Sequence, residues 1–449
     1  MLNSYFAQLR MRMTFAFFVI LLLILSAQAN ENQQAEASPV NTNYDNFYDI
    51  KDGDQILDDR IKQLEDEDQI AICKIDKTPS TLACPSSSSL SASLALSLLR
   101  HASSASKSFV LSPVSLGPAL AILHDGARGM TQRELTDLLL PGCTIDDVTN
   151  HYSSLTQSLP STGRDISFTI ANQLFMNESF SFTKNYENHI KTRYNAKIEA
   201  LNLMEKATSA NRINEFVKNA TNGKIENIIN PKAISDEAAV IQINAISFRG
   251  EWETVFRPTF NQSRIFYGAM GEREITFMQQ EHEYFAINKD NDFGTALLMP
   301  YKEKEYKFFA LMPTGSDSSS FEQKRMEMTG EQLFNIFSKA ERISTTLIFP
   351  KFKIESQLNG SNVLSKMGVS TMFTDKADFS KISDTPIWIS NVEHKATVEV
   401  NEAGIEASAV TANLWERQCR SCSLELTFDR PFLYGITRNN DILFIGQFV

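Results

Sequence analysis

The 449-residue sequence lacks the short motifs by which most enzymes announce themselves. There is no G-x-S-x-G, no G-x-x-x-x-G-K-[ST], no G-x-G-x-x-G and no H-E-x-x-H. A nucleophile elbow, a phosphate-cradling loop, a dinucleotide fold and a helical zinc pair therefore have no local signature here. The nearest hydrolase-like string, Gly368-Val369-Ser370-Thr371-Met372, is missing its second glycine. The histidines (His101, His124, His151, His189, His282 and His394) show no ligand spacing, so neither a metal nor a cofactor is expected. Cations are short as well. Lys+Arg 43 against Asp+Glu 54 leaves a net charge of −11, which argues against a general nucleic-acid binder. Gly 18 and Pro 14 are too few for a collagen-like or low-complexity chain.

Long apolar runs are also scarce, and the exception is at the start. Thr14 to Ser26 carries no charge, follows Arg10 and Arg12, and leads into Ala27-Gln28-Ala29. As a helix this run rises only ~20 Å, short of the ~30 Å hydrocarbon core, so a cleaved secretory signal over residues 1–29 is favoured over an anchor. The expected product is secreted and extracellular, with no membrane segment in its mature form. Asn177, Asn219, Asn261 and Asn359 each begin an N-x-[ST] triplet, so a glycoprotein is expected.

Residues 30–84 read as an acidic extension that cannot bury enough surface to fold alone. Twelve acids fall between Glu31 and Asp68, against Lys51, Arg60 and Lys62. A solvated leader is the plain reading, and an arm that docks on a basic surface is the sharper one. Tyr44-Asp45 and Tyr48-Asp49 suit sulfation. Five cysteines (Cys73, Cys84, Cys143, Cys419 and Cys422) leave at least one thiol free or intermolecular in an oxidising compartment. Cys73 and Cys84 could close a small loop. Cys419-Arg420-Ser421-Cys422 has C-x-x-C spacing but no βαβ context.

From Pro85 onward the pattern is that of one folded domain, 85–449. Leu90, Leu94, Leu98 and Leu99 recur at helical spacing, as do apolar residues in Tyr186–Tyr194, Thr208–Asn219, Thr329–Ala340 and Gly360–Met367. Ile166–Leu174, Ala239–Phe248, Ala296–Met299, Phe308–Met312, Thr346–Phe349, Ile387–Ile389 and Ile442–Val449 read as strands. Helices crowd the first half and strands the second, an α+β arrangement. Between Val400 and Thr427 lies a long stretch of small and polar residues with no helix stop or turn cluster, and loops of that length are often functional.

Several separate strings resemble the serpin family of protease inhibitors. Phe109-Val110-Leu111-Ser112-Pro113-Val114-Ser115, followed by Ala127-Arg128-Gly129-Met130-Thr131, is similar to the family's first buried helix. Asn244 to Trp252 resembles its central strand, and Leu347 to Ile354 matches another element. His394 to Gly404 looks like the strand that leads into the reactive loop, and Pro431-Phe432 with Leu443-Phe444-Ile445-Gly446 like the C-terminal signature.

The resemblance implies a serpin fold, with helices packed on three β-sheets and an exposed reactive-centre loop near the C-terminus. It implies a monomeric suicide inhibitor, not an enzyme. A target serine protease cleaves the loop and stays esterified while the loop enters the main sheet as a strand, the standard example of strand addition. The hinge would be Glu402, Gly404, Ile405, Glu406, Ala407, Ser408, Ala409, Val410 and Thr411. Alternation puts Ile405, Ala407, Ala409 and Thr411 on one face and Gly404, Glu406, Ser408 and Val410 on the other, so the only charge can stay in water. Inhibitory members usually carry Thr or Ser where this chain has Ile405, and a non-inhibitory carrier, chaperone or storage serpin is the alternative reading. Ser112, Ser115, Asn244, Trp252 and His394 match the region where the sheet opens. The reactive bond falls at Arg420-Ser421 counted back from Pro431, or at Arg417-Gln418 counted forward from Gly404, and an Arg there suits a trypsin-like enzyme. Heparin-binding members use a basic helix near Ile145 to Leu159. Here that stretch has Asp146 and Asp147 and no Lys or Arg, so no strong heparin site is expected there.

Overall fold

Among the residues described, 87–159, 165–289, 291–315, 318–405, 423–439 and 441–449 of a computed structural model, apolar period and element type agree closely. The signal and acidic segments lie outside this set. So do Glu406 to Cys422, and with them the hinge residues Glu406, Ala407, Ser408, Ala409, Val410 and Thr411 and both candidate bonds, Arg420-Ser421 and Arg417-Gln418.

Six helices occupy the first half: α1 (Ser87–Ala102), α2 (Pro113–Gly126), α3 (Gly129–Leu139), α4 (Ile145–Ser158), α5 (Lys184–Tyr194) and α6 (Lys206–Ala220). Three follow: α7 (Ser318–Glu327), α8 (Gly330–Ser338) and α9 (Gly360–Lys366). The string that resembles the family's first helix divides in two. Phe109–Leu111 is a strand, β1, and the helix begins only at Pro113, with Ser112 as its N-cap. Every residue of α2 is buried, as its nearly all-round apolar sequence requires. Among the described residues no helix is long and apolar enough to cross a membrane.

The first sheet network contains β1, β15 (Asp441–Phe448), β14 (Phe432–Arg438), β8 (Tyr306–Pro313), β7 (Gly294–Pro300), β6 (Gly271–Asn288), β9 (Glu341–Pro350) and β13 (Leu424–Thr427) in that order, with β5 (Gln262–Gly268) paired to β6. The second runs β10 (Phe352–Asn359), β11 (Ile389–Val400), β4 (Val240–Glu251), β2 (Ile166–Asn177) and β3 (Lys197–Leu201), with β12 (Gly404–Ile405) on β4. The α+β class is as expected, but the described strands join into two networks, not three separate sheets. The cause is β6. Its 18 residues pair with β5 at one end and β7 at the other, across a bulge between Gln280 and Glu283 where His282 takes φ +58°.

The main core lies between the sheets and around α2. A smaller one forms where Ala210, Ile213 and Val217 of α6 cover Phe175, Ile241, Ile243 and Ala245 on the outer face of β2 and β4. Aromatic rings fill the junction of the two networks. Phe349 lies 5.7 Å from Phe308, 5.0 Å from Phe428 and 5.4 Å from Phe432, and is fully buried. Phe349→Ala should lower the free energy of unfolding by about 3–5 kcal/mol, read as a lower denaturant midpoint at unchanged m-value.

Candidate functional site

The boundary between β4 and β11 is built differently from the rest of the interior. The two strands run parallel, in register from Ile389 opposite Val240 to Thr397 opposite Ser247, with one irregularity after Ile389. His394 thus lies directly across from Asn244. The His394 Nδ1–H donates to Asn244 Oδ1, and His394 Nε2 accepts the Ser112 backbone N–H at 3.1 Å, which fixes a neutral, Nδ1-protonated ring. Asn244 Nδ2 donates to Ser115 O at 2.9 Å and Ser115 Oγ at 2.7 Å, and Ser112 Oγ donates to Leu443 O on β15 at 2.6 Å. Four of the five expected sheet-opening residues are therefore one buried network that ties β4 and β11 to the N-terminus of α2. Burial lowers the His394 pKa to about 3.

The fifth residue, Trp252, sits elsewhere, just past the end of β4. It is buried, stacks on Tyr301 with ring centroids 4.7 Å apart, and donates from Nε1 to Asn401 O at 2.9 Å. Its backbone N–H donates to Ala403 O, and that of Phe256 to Glu402 O. The segment from Trp252 to Phe256 thereby clamps the hinge.

Above Ser247 the paired strands part, and the hinge enters the space. Gly404 pairs with Glu251 and Ile405 with Gly250, antiparallel to β4. Gly404 has φ +132°, and a Cβ there would lie 2.1 Å from the Gly250 carbonyl oxygen, so both conformation and space demand glycine. The Glu402 carboxylate takes hydrogen bonds from Lys351 Nζ at 3.0 and 3.1 Å and from Asn261 Nδ2 at 2.5 Å. Burial opposes its ionisation, but the bonds from Asn261 and Lys351 outweigh this and hold Glu402 below the usual carboxylate range.

Sequence reasoning did not assign Asn261 or Lys351 to the hinge. Lys351 stood inside a family-like string, whereas Asn261 carried only a sequon. The four sequons are placed unequally in the folded chain. Asn219 and Asn359 are exposed. Asn177 is buried and donates from Nδ2 to Ala238 O, while Asn261 is half-buried and engaged with Glu402. Cys143 is disulfide-bonded, and the other four cysteines lie outside the described residues.

The unusual His394 pKa has a definite sign. The ring binds a proton less readily folded than unfolded, so its contribution to stability is complete above the unfolded value near 6.5 and is lost as pH falls toward 3. His394→Gln should flatten the decline in melting temperature between pH 6.5 and 4.5, a window largely above the titration of Glu402. An unchanged slope would count against a buried neutral ring.

Three comparisons bear on this geometry. Residues 89–449 match the family Serpin (serine protease inhibitor). Iripin-1 of Ixodes ricinus is 31% identical over 75% of this chain and 87% of its own length, and serpin B6 of Pongo abelii is 28% identical over 76% and 93%. Among solved structures, the native state of the thermophilic serpin Tengpin superimposes with TM-score 0.72 at 29% identity, covering 80% of this chain and 93% of that one. Uncleaved ovalbumin superimposes with TM-score 0.70 at 24% identity over 80% and 98%, a likeness of fold alone.

Proposed function

The chain belongs to the serpin family, whose members are protease inhibitors and not enzymes, and from that premise we propose that it is a secreted inhibitor that traps trypsin-like serine proteases by loop cleavage and insertion. The observation that carries this reading is the pairing of Ile405 with Gly250, because it sets a register that the rest of the loop can follow.

Continuing that antiparallel register down β4 places Glu406 opposite Arg249, Ala407 opposite Phe248, Ser408 opposite Ser247 and Ala409 opposite Ile246. Residues directly opposite in an antiparallel pair share a face. Phe248, Ile246 and Asn244 belong to the inner side, against the main core and α2, and they would receive Ala407, Ala409 and Thr411. On the outer side Arg249 is exposed and opposite in sign to Glu406. Further down, Val410, Ala412 and Leu414 fall opposite Ala245, Ile243 and Ile241, where α6 covers the sheet and apolar residues are wanted. Small inner residues, an acid beside a base, and an apolar outer run under a helix all coincide with one register. A carrier or storage role would place no such demand on residues 406–414.

Ordering about ten residues costs roughly 1–2 kcal/mol each, and new ladder hydrogen bonds return only about 0.5–1.5 kcal/mol each. The proposed inhibitor therefore relies on strain held in the uncleaved fold, and the polar β4–β11 boundary is where that strain is released. Secretion follows from the apolar leader, and Asn219 and Asn359 are the sequons the folded surface presents to a glycan.

Ile405→Arg puts a charge on the inner face, at a cost of about 3–5 kcal/mol if it stays uncompensated. Trypsin should still cut this variant, but the complex that survives denaturant should give way to cleaved product on a gel. Retention of that complex would refute insertion in this register. Arg420→Ala should abolish trypsin trapping if Arg420-Ser421 is the reactive bond, and Arg417→Ala if Arg417-Gln418 is. Trapping of trypsin that survives both changes made together rules out both candidate bonds.

A further inference from the structure

Asn261 carries two claims on one amide. As the first residue of Asn261-Gln262-Ser263 it is an acceptor for N-glycosylation, and in the folded chain its Nδ2 donates to Glu402 Oε1 at 2.5 Å. A single 3-10 turn, Pro258–Phe260, fixes its backbone, with the Asn261 N–H donating to Pro258 O at 3.2 Å. The Glu402 side chain that receives the amide is only 14% exposed, and Asn261 Oδ1 is enclosed without a hydrogen-bond partner among the described residues. The amide therefore fills a closed site on the hinge.

A sugar cannot be added to that amide as it stands. In N-glycosylation a bond forms between Nδ2 and C1 of the first sugar, the bond from C1 to the diphosphate of a lipid-linked oligosaccharide breaks, and one Nδ2 proton leaves to base. The product is a trans secondary amide, which sets the sugar on the same side as Oδ1. If the Glu402 bond uses the hydrogen on that side, C1 replaces it in a 2.5 Å gap too short to hold a carbon. If the bond uses the other hydrogen, the sugar enters beside the enclosed Oδ1. Either way the side chain must swing out to carry a sugar. Because the transfer precedes folding, a glycosylated chain closes without the Asn261–Glu402 bond and leaves Glu402 to Lys351.

We infer that Asn261 is a glycosylation site whose occupancy sets the hold on the hinge: the bare side chain pins Glu402, and the glycosylated one releases it. The inference rests on the secretion reading above and adds to it a consequence for the hinge. It divides one chain into two forms that differ at residues 401–405 before any loop is cut. Asn219 and Asn359, both exposed, form no hydrogen bond with the hinge and report on glycosylation independently.

The test uses the full chain made in a eukaryotic secretory host, with occupancy of each sequon read by glycopeptide mass. Hydrogen exchange of the peptide spanning residues 401–405 is then followed in wild type, Ser263→Ala and Asn261→Ala. Ser263 is exposed, and its replacement removes the acceptor triplet while keeping Asn261. The wild type should show two populations, the faster one in the proportion that Asn261 is occupied and exchanging on the order of tenfold sooner. Ser263→Ala should show the slow population and Asn261→Ala the fast one. If Asn219 and Asn359 are bare as well, the secretion reading fails and the inference with it. If those two are occupied but Asn261 is bare, secretion stands and Asn261 is not a modification site. If Asn261 is occupied and the hinge exchanges as slowly as in Ser263→Ala, or if Asn261→Ala is equally slow, the amide does not set the hold on the hinge.

Discussion

The hydrogen bond between His394 and Asn244 spans a strand boundary that the fold holds shut with polar atoms. Most of the interior is sealed by apolar surface, whose separation costs roughly 25 cal/mol for each Å² exposed. At the centre of the β4–β11 boundary an imidazole and an amide from the strands meet two serines at the N-terminus of α2, all satisfied by one another and by backbone. Such a network has a different failure mode. It resists partial disruption, since a single missing partner leaves buried groups unpaired, yet it can be exchanged for another polar strand with little net loss. If the boundary opens once to admit the loop, as proposed, such a network serves it well.

Above this boundary the hinge is held by contacts of a different kind. Glu402 is fixed by Lys351 and Asn261, Ala403 and Asn401 by the backbone and indole N–H groups of Trp252, and Gly404 by the absence of a side chain against Gly250. The partners come from three separate stretches of chain: the end of β4, the approach to β5, and the turn between β9 and β10. Closing the lower network and seating the hinge are thus coupled only through β4 and β11. That coupling lets the upper end hold a two-residue strand, β12, while the lower remains fully paired.

Much of this was legible in the sequence, for identifiable reasons. Helices such as Lys184–Tyr194 and strands such as Tyr306–Pro313 carry clear apolar periods because one side meets the core. The β5–β6 hairpin is not marked by an alternating period, because in its short apolar run Ile265-Phe266-Tyr267 only Phe266 is fully buried and residues 271–276 are mostly polar and exposed. Ile387–Ile389 marked only the beginning of β11, whose centre holds buried Glu393, His394 and Lys395 and so does not look like a strand interior. Ser112, Ser115, Asn244 and His394 were found through family-like strings alone, since residues this far apart have no local pattern that predicts their meeting. Asn261 showed only its sequon, because its bond to Glu402 depends on a fold-level approach across 141 positions.

Parity joins the hinge to the rest of the loop. Side chains alternate in a strand, so a slip of one residue would exchange every inner position for an outer one. In this chain that slip would bring Glu406 against Gly250, on the face that meets the core, and send the alanines toward solvent. The two residues of β12 already pair with Gly250 and Glu251 while the boundary below is closed. If the loop enters as proposed, its parity is therefore chosen before any bond is cut, at the point where glycine alone fits and where Glu402 is pinned by a cation and an amide. Errors of register are then excluded at the first step, when they cost one unfavourable contact, and not at the last, when they would leave a buried carboxylate inside a finished sheet.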